Sequence, residues 1–290
     1  MAFLSYLIGG LGLGSVYAII ALGYSMVYGI AKMLNFAHGD VIMVGAFVAY
    51  FALSSFGLPT IVALILSVVA CTVLGIVVEK LAYKPLRGAS SLSVLITAIG
   101  VSYFLQNAAM LMWGTDTKIF PTILEGTLTI GELSIPYLTL LTILSCIVIM
   151  VVLTMFINKT KTGRAMRACS EDKGAASLMG INVNQIISIT FAIGSGLAAI
   201  AAVLLCATYP SVYPTLGSMP GIKAFTAAVL GGIGSIPGAF LGGLLLGVIE
   251  NLARAYISTQ LSDAIVFMVI IVILLIKPTG LLGKKVNVKV

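Results

Sequence analysis

Apolar positions in this chain fall into long uninterrupted blocks, and the polar ones are confined to short stretches between them. From Val41 through Val78 no residue carries a charge, and similar runs recur as far as Ile276. A helix needs about 20 apolar residues to cross the hydrocarbon core of a bilayer. A surface helix of a soluble protein would instead show polar residues along its outward face. The blocks predict helices over about Leu4–Ile30, Leu92–Trp113, Tyr137–Ile157 and Ile186–Thr208, with a short last one over Leu261–Ile276. Val41–Val78 is too long for one crossing and reads as a helical hairpin turning at Gly57-Leu58-Pro59. Ile222–Tyr256 is apolar but broken by Gly231-Gly232-Ile233-Gly234-Ser235-Ile236-Pro237-Gly238. The predicted class is an all-α integral membrane protein of about eight to nine transmembrane helices, one or two of them broken or half-helical. All of it, residues 1–290, forms a single transmembrane domain.

Composition narrows what such a protein does. Hydrophobic residues make up 60% of the chain and charged residues 9%, against roughly 25% charged in soluble domains. The helices use up nearly the whole length, leaving no room for a soluble catalytic or nucleotide-binding domain. The net charge of +7 therefore does not signal nucleic acid. The bases sit in short loops, where they set orientation. No phosphate-binding G-x-x-x-x-G-K-[ST], H-E-x-x-H or G-x-S-x-G motif occurs. Cys71, Cys146, Cys169 and Cys206 are scattered without a C-x-x-C pair and read as small packing residues. The N-terminus lacks a basic region and reads as a retained first helix rather than a signal peptide.

Charge then orients the helices. Lys80, Lys84 and Arg87 form one basic cluster. Lys159, Lys161, Arg164, Arg167 and Lys173 form a second, and Lys277, Lys284, Lys285 and Lys289 a third. All three are expected on the cytoplasmic side. The acidic 114–136 loop, with Asp116, Glu125 and Glu132, is expected outside, as is the N-terminus. The count of crossings closes only if 222–256 contains a discontinuous element.

Three places carry candidate chemistry. In the polar stretch Asn158–Gln185, Ser170 is a plausible helix N-cap, followed by Glu171 and Asp172 in the first turn. Ala175, Leu178 and Met179 lie at i, i+3, i+4 on one apolar face, and Gly180 ends the helix. The result is a short amphipathic knob suited to a groove on a soluble partner; the plainer reading is a solvated interfacial loop. The second place is the polar break Lys32–Asp40, with Asn35, His38, Gly39 and Asp40. The third is Gly231–Gly238, with Gly231, Gly232, Gly234, Ser235 and Pro237. Interrupted apolar segments in the two halves of a transporter point to its pathway, because unwound backbone inside a membrane must face protein or water. Half-helix N-termini there offer free N–H groups to a substrate carboxylate.

The plainer readings are a surface turn for the first break and close helix packing for the second. Gly238-x-x-x-Gly242 and Gly243-x-x-x-Gly247 support that packing. His38 with Asp40 suggests a proton relay less readily than an ordinary hydrogen-bonding role. Asn35 suits structural hydrogen bonding at the break. Glu250 and Arg254 form an i,i+4 pair at a helix end, and Lys223 is expected to snorkel to the interface.

Ala175-Ala176-x-x-x-Gly180 in a large cytoplasmic loop resembles the E-A-A-x-x-x-G coupling loop of bacterial ABC importer permeases, with Gly174 in place of the leading Glu. Further segments carry the likeness along nearly the whole chain. They are Gly14–Gly29 (GSVYAIIALGYSMVYG), Asn35–Asp40 (NFAHGD) and Ala224–Gly238 (AFTAAVLGGIGSIPG). Together they resemble the LivH-type permeases of branched-chain amino acid ABC transporters. The resemblance implies a multi-pass permease subunit in the bacterial inner membrane, carrying leucine, isoleucine or valine, with no covalent chemistry of its own. It implies a heterodimer with a homologous LivM-type permease, two cytoplasmic ABC ATPases that bind the ATP and Mg, and a periplasmic amino-acid-binding protein. Beyond these it implies contact with membrane lipid and none with nucleic acid. It also implies that Arg164, Arg167, Glu171, Asp172, Ala175, Ala176, Leu178, Met179 and Gly180 couple to an ATPase. A related permease for urea or a short amide, or a secondary transporter or channel working alone, are the rival readings. The latter would be expected to show paired intramembrane acids or a coupling-ion site.

Overall fold

The computed structural model describes residues 2–131 and 133–283. Glu132 and the tail lysines Lys284, Lys285 and Lys289 lie outside the described residues. Among the described residues, six helices are long and apolar enough to cross a membrane. They are α1 (Ala2–Ala31), α3 (Thr60–Val78), α4 (Ser91–Trp113), α5 (Tyr137–Lys159), α8 (Val183–Thr208) and α10 (Ile236–Tyr256). Shorter helices complete the set: α2 (His38–Ser54), α9 (Ser218–Gly231) and α11 (Ser262–Ile276) in the membrane, α6 (Lys161–Glu171) and α7 (Lys173–Leu178) between α5 and α8.

The expected hairpin is α2 and α3, turning at Gly57, whose φ of +59° only glycine adopts readily. The expected basic loop after α3 is instead helical. It continues as a π-helix over Glu79–Tyr83 and a 3-10 turn over Lys84–Leu86.

The centre of the molecule is α1 and α8, which are mostly buried, while α4 and α5 turn most of their surface outward. Small residues let the central helices touch backbone to backbone. Gly243 and Gly247 of α10 face Ala18 and Gly14 of α1, and any side chain at either glycine would collide with the α1 backbone. Gly238 and Gly242, on another face of α10, press on Gly231 and Ala227 of α9. Both small-residue pairs in the sequence are thus used, each against a different neighbour.

The contacts between α1 and α10 also settle direction. Gly10 meets Val248, Gly14 meets Leu244 and Gly29 meets Gly234, so the two helices run antiparallel. With the bases of α6 and the π-helix on the inside, α1 runs inward and α10 outward. On the outside, β2 (Thr127–Ile130) pairs antiparallel with β3 (Leu133–Pro136), and β1 (Lys118–Ile119) pairs with β4 (Ser211–Val212). The second pairing ties the loop after α4 to the connector after α8. The discontinuous element needed within 222–256 is the α9–α10 hairpin. It begins at Ser218, earlier than expected, and turns at Gly232–Ser235, where Gly232 and Gly234 have φ of +103° and +94°.

Candidate coupling surface and intramembrane site

The cytoplasmic knob consists of two helices rather than one. Thr160 caps α6, its Oγ1 accepting from the Gly163 N–H at 2.9 Å. The buried face Gly163, Met166 and Cys169 then carries the helix through Ser170. Ser170 is therefore not the N-cap; its hydroxyl donates to the Arg167 carbonyl at 2.7 Å. The chain breaks at Asp172 instead, whose Oδ1 accepts from the Ala175 N–H at 3.0 Å and starts α7. Glu171 closes α6 rather than opening the next helix. Gly180, at φ +81°, ends the knob, with the Gly180 and Ile181 N–H groups donating back to Ser177 and Ala176.

Burial divides the knob cleanly. Ala176 faces the protein, while Leu178 is 90% exposed and Met179 83%. Ala175, Arg164, Glu171 and Asp172 are also exposed, and Arg167 donates to Asn158 Oδ1 at 3.0 Å. An apolar tip rimmed by charges thus projects into the cytoplasm. Lys173 anchors its base, donating from Nζ to the carbonyl of Ala31, the last residue of α1, at 2.6 Å. Partial burial, with Arg87 and Lys32 nearby, holds the Lys173 ammonium below the usual lysine range.

The second site lies within the membrane. The break after α1 spans residues 32–37, so His38, Gly39 and Asp40 form the first turn of α2. Only Lys32 is exposed; Asn35, His38 and Asp40 are all buried, so the stretch is not a surface turn. Asn35 Oδ1 accepts from the Tyr83 hydroxyl at 2.8 Å, pinning the break to the π-helix. The His38 ring packs edge-on against Tyr24, centroids 4.6 Å apart, and lies against Gly23.

The start of α2 does not meet Gly231–Gly238. It meets the start of α9. Gly39 touches Gly217 and Gly221, and no side chain fits between the two backbones. Beside this contact the Asp40 carboxylate accepts from Gln106 Nε2 of α4 at 2.8 Å, and the same nitrogen lies 3.3 Å from both Ser102 Oγ and Ser218 Oγ. An acid, an amide and two hydroxyls thus gather where two helix N-termini converge, a place that favours negative charge.

Gly231, Gly232, Gly234, Ser235 and Pro237 lie at the cytoplasmic end instead. Ser235 caps α10, the Gly234 N–H donates to Ser25 Oγ at 2.9 Å, and residues 280–283 cover the turn. Leu281 and Leu282 donate to the carbonyls of Leu230 and Gly231 there.

Sequence reasoning missed Ser102, Gln106, Gly217 and Ser218. Ser102 and Gln106, polar and one turn apart on the same face of α4, were a readable signal; the pairing of Gly217 with Gly39 was not. Lys223 corrects a further expectation. It does not snorkel but is buried, pairing with Glu250 at 2.8 Å and Asp263 at 2.6 Å, while Arg254 also reaches Glu250. Three helices, α9, α10 and α11, are joined by this cluster.

Comparison with known proteins gives the arrangement its place. The chain is 48% identical to the high-affinity branched-chain amino acid transport system permease protein BraD of Pseudomonas aeruginosa, covering 97% of this chain and 96% of that one. It is 44% identical, over the same shares, to the permease protein LivH of Escherichia coli. A solved structure, PsaBC from Streptococcus pneumoniae in complex with Fab, aligns at 16% identity and a TM-score of 0.48, over 93% of this chain and 90% of that one. Residues 6–274 match the family described as branched-chain amino acid transport system / permease component, and the chain belongs to that family.

Proposed function

We propose that this chain is a membrane-embedded permease subunit of an ATP-driven importer that carries leucine, isoleucine and valine across the inner membrane. Its companion is a homologous permease. Two cytoplasmic ATPases supply the nucleotide and Mg, and a periplasmic binding protein delivers the solute. The observation that carries the reading is the α7 tip. Leu178 and Met179 stand almost fully exposed in water on a helix capped at both ends and anchored to α1. Two large apolar side chains held out on a rigid knob suit a groove in a soluble partner. Arg164, Arg167, Glu171 and Asp172 form its charged rim.

The solute pathway passes the start of α2. Ser102, Gln106 and Ser218 are half-buried, polar and set within the membrane. Lipid is a poor neighbour for them, so that face meets water or the companion permease. Asn35, His38, Gly39 and Asp40 support the pathway wall. Gly231–Gly238 acts at the cytoplasmic end as the hinge turn of the α9–α10 hairpin. No acid pair indicative of ion coupling lines the α2–α9 junction among the described residues, where Asp40 stands without a second carboxylate.

The test is transport into proteoliposomes holding the complete complex, with and without ATP. Uptake of labelled leucine, competed by isoleucine and valine but not by urea or acetamide, is expected only with ATP. Equal uptake by the purified chain alone, without ATPases, overturns the reading.

A further inference from the structure

A cleft of about 410 Å³ opens between the inner end of α3, with its π-helical extension, and the beginning of α8. Its wall changes character with depth. Lys80, Lys84 and Asn182 stand at the cytoplasmic mouth, Ser188 comes next, and Ile76 and Ile189 face the space nearer the bilayer. Both lysines are exposed, and no acid among the described residues pairs with either. The adjacent Glu79 is engaged with Arg87 and with the Ser188 hydroxyl, at 2.6 Å for the latter. From Asn182 to Ile189 the cleft climbs roughly 10 Å at the helical rise, about the depth of a lipid headgroup and its first acyl carbons.

We propose that this cleft binds one anionic phospholipid of the cytoplasmic leaflet. Its phosphate sits between Lys80 and Lys84, and the upper acyl chain lies on Ile76 and Ile189. Two cations without acidic partners at the membrane surface attract a phosphate, and an adjoining apolar wall distinguishes a lipid from a soluble anion, which would leave that wall unused. The site is separate from the α7 tip and does not depend on what docks there. It does touch the same helix: α8 starts just after the knob, so an occupant wedged against α3 fixes the angle at which α8 leaves the surface.

Native mass spectrometry on the full chain in detergent tests this with three probes: phosphatidylglycerol, phosphatidylcholine and water-soluble glycerophosphoglycerol. One phosphatidylglycerol per chain is expected to be retained, with phosphatidylcholine and the soluble headgroup lost. The double variant Lys80→Gln/Lys84→Gln is expected to weaken retention about 30-fold. A charge-matched Lys159→Gln/Lys161→Gln control elsewhere on the same face should retain the lipid as the wild type does. Equal retention by the Lys80/Lys84 variant, or equal binding of phosphatidylcholine, overturns the proposal. Tight binding of glycerophosphoglycerol also overturns it and assigns the cleft to a soluble anion.

Discussion

Gly217 has almost no room for a larger residue. Its α-carbon lies against the Gly39 carbonyl, and a methyl group would overlap that oxygen. Gly217→Ala should therefore cost about 1–3 kcal/mol of overpacking, seen as a lower midpoint in thermal unfolding of the detergent-solubilised protein. Asp40 behaves differently. Asp40→Asn keeps an oxygen to accept from Gln106 but removes the charge beside two helix N-termini. The variant should assemble at wild-type levels and transport solute more slowly, which a reconstituted uptake assay would read.

Lys223 and Asp263 offer a contrast within one cluster. The Lys223 side chain is 4% exposed and that of Asp263 42%. Lys223→Met strips a fully buried Glu250 of one cation, at a cost of about 3 kcal/mol. Asp263→Asn should cost under about 1 kcal/mol, because water already screens that carboxylate. Equal losses on thermal unfolding would contradict this.

At the scale of the element, α7 is short and makes its strongest reach to α1 through one side chain. Lys173, the first residue of α7, reaches the last carbonyl of α1, immediately before the break that leads to Asn35 and Asp40. Force applied at Leu178 and Met179 has a direct route to that break. Lys173→Gln should leave ATPase co-purification intact but lower the solute carried per ATP hydrolysed, while Lys173→Arg, which keeps a cation, should restore most of it. Leu178→Asp should instead abolish co-purification, since a charge in an apolar groove is unpaired. If Leu178→Asp retains the ATPases, α7 is not the docking element. The π-helix is the other element of interest. Its Tyr83 reaches Asn35, and its Glu79 reaches Ser188 of α8, so the same break is braced from a second side.

At the scale of the molecule, orientation is the property most open to test. All four cysteines are buried, so the wild-type protein should resist a membrane-impermeant maleimide. Gly57→Cys should be labelled from the periplasmic side and Ser177→Cys only after the membrane is opened; the reverse pattern would invert the topology. Much of this arrangement was legible beforehand. Charge-free blocks located the spans, and the parity of crossings required a discontinuous element between Ile222 and Tyr256. What stayed hidden depends on distance along the chain. Hydropathy shows that residues 32–40 and 209–221 interrupt helices, but it does not show that Gly39 and Gly217 touch. For the same reason the sequence left Lys223 at the surface. Burial of a charge is decided by which helices surround it, and a single chain read in order does not list them.

Where α2 and α9 begin, bare backbone meets bare backbone with nothing compressible in between. Side chains yield by rotating; peptide planes do not. Any movement that presses one of these starts toward the other must displace it, because the contact has no slack in which to absorb the shift.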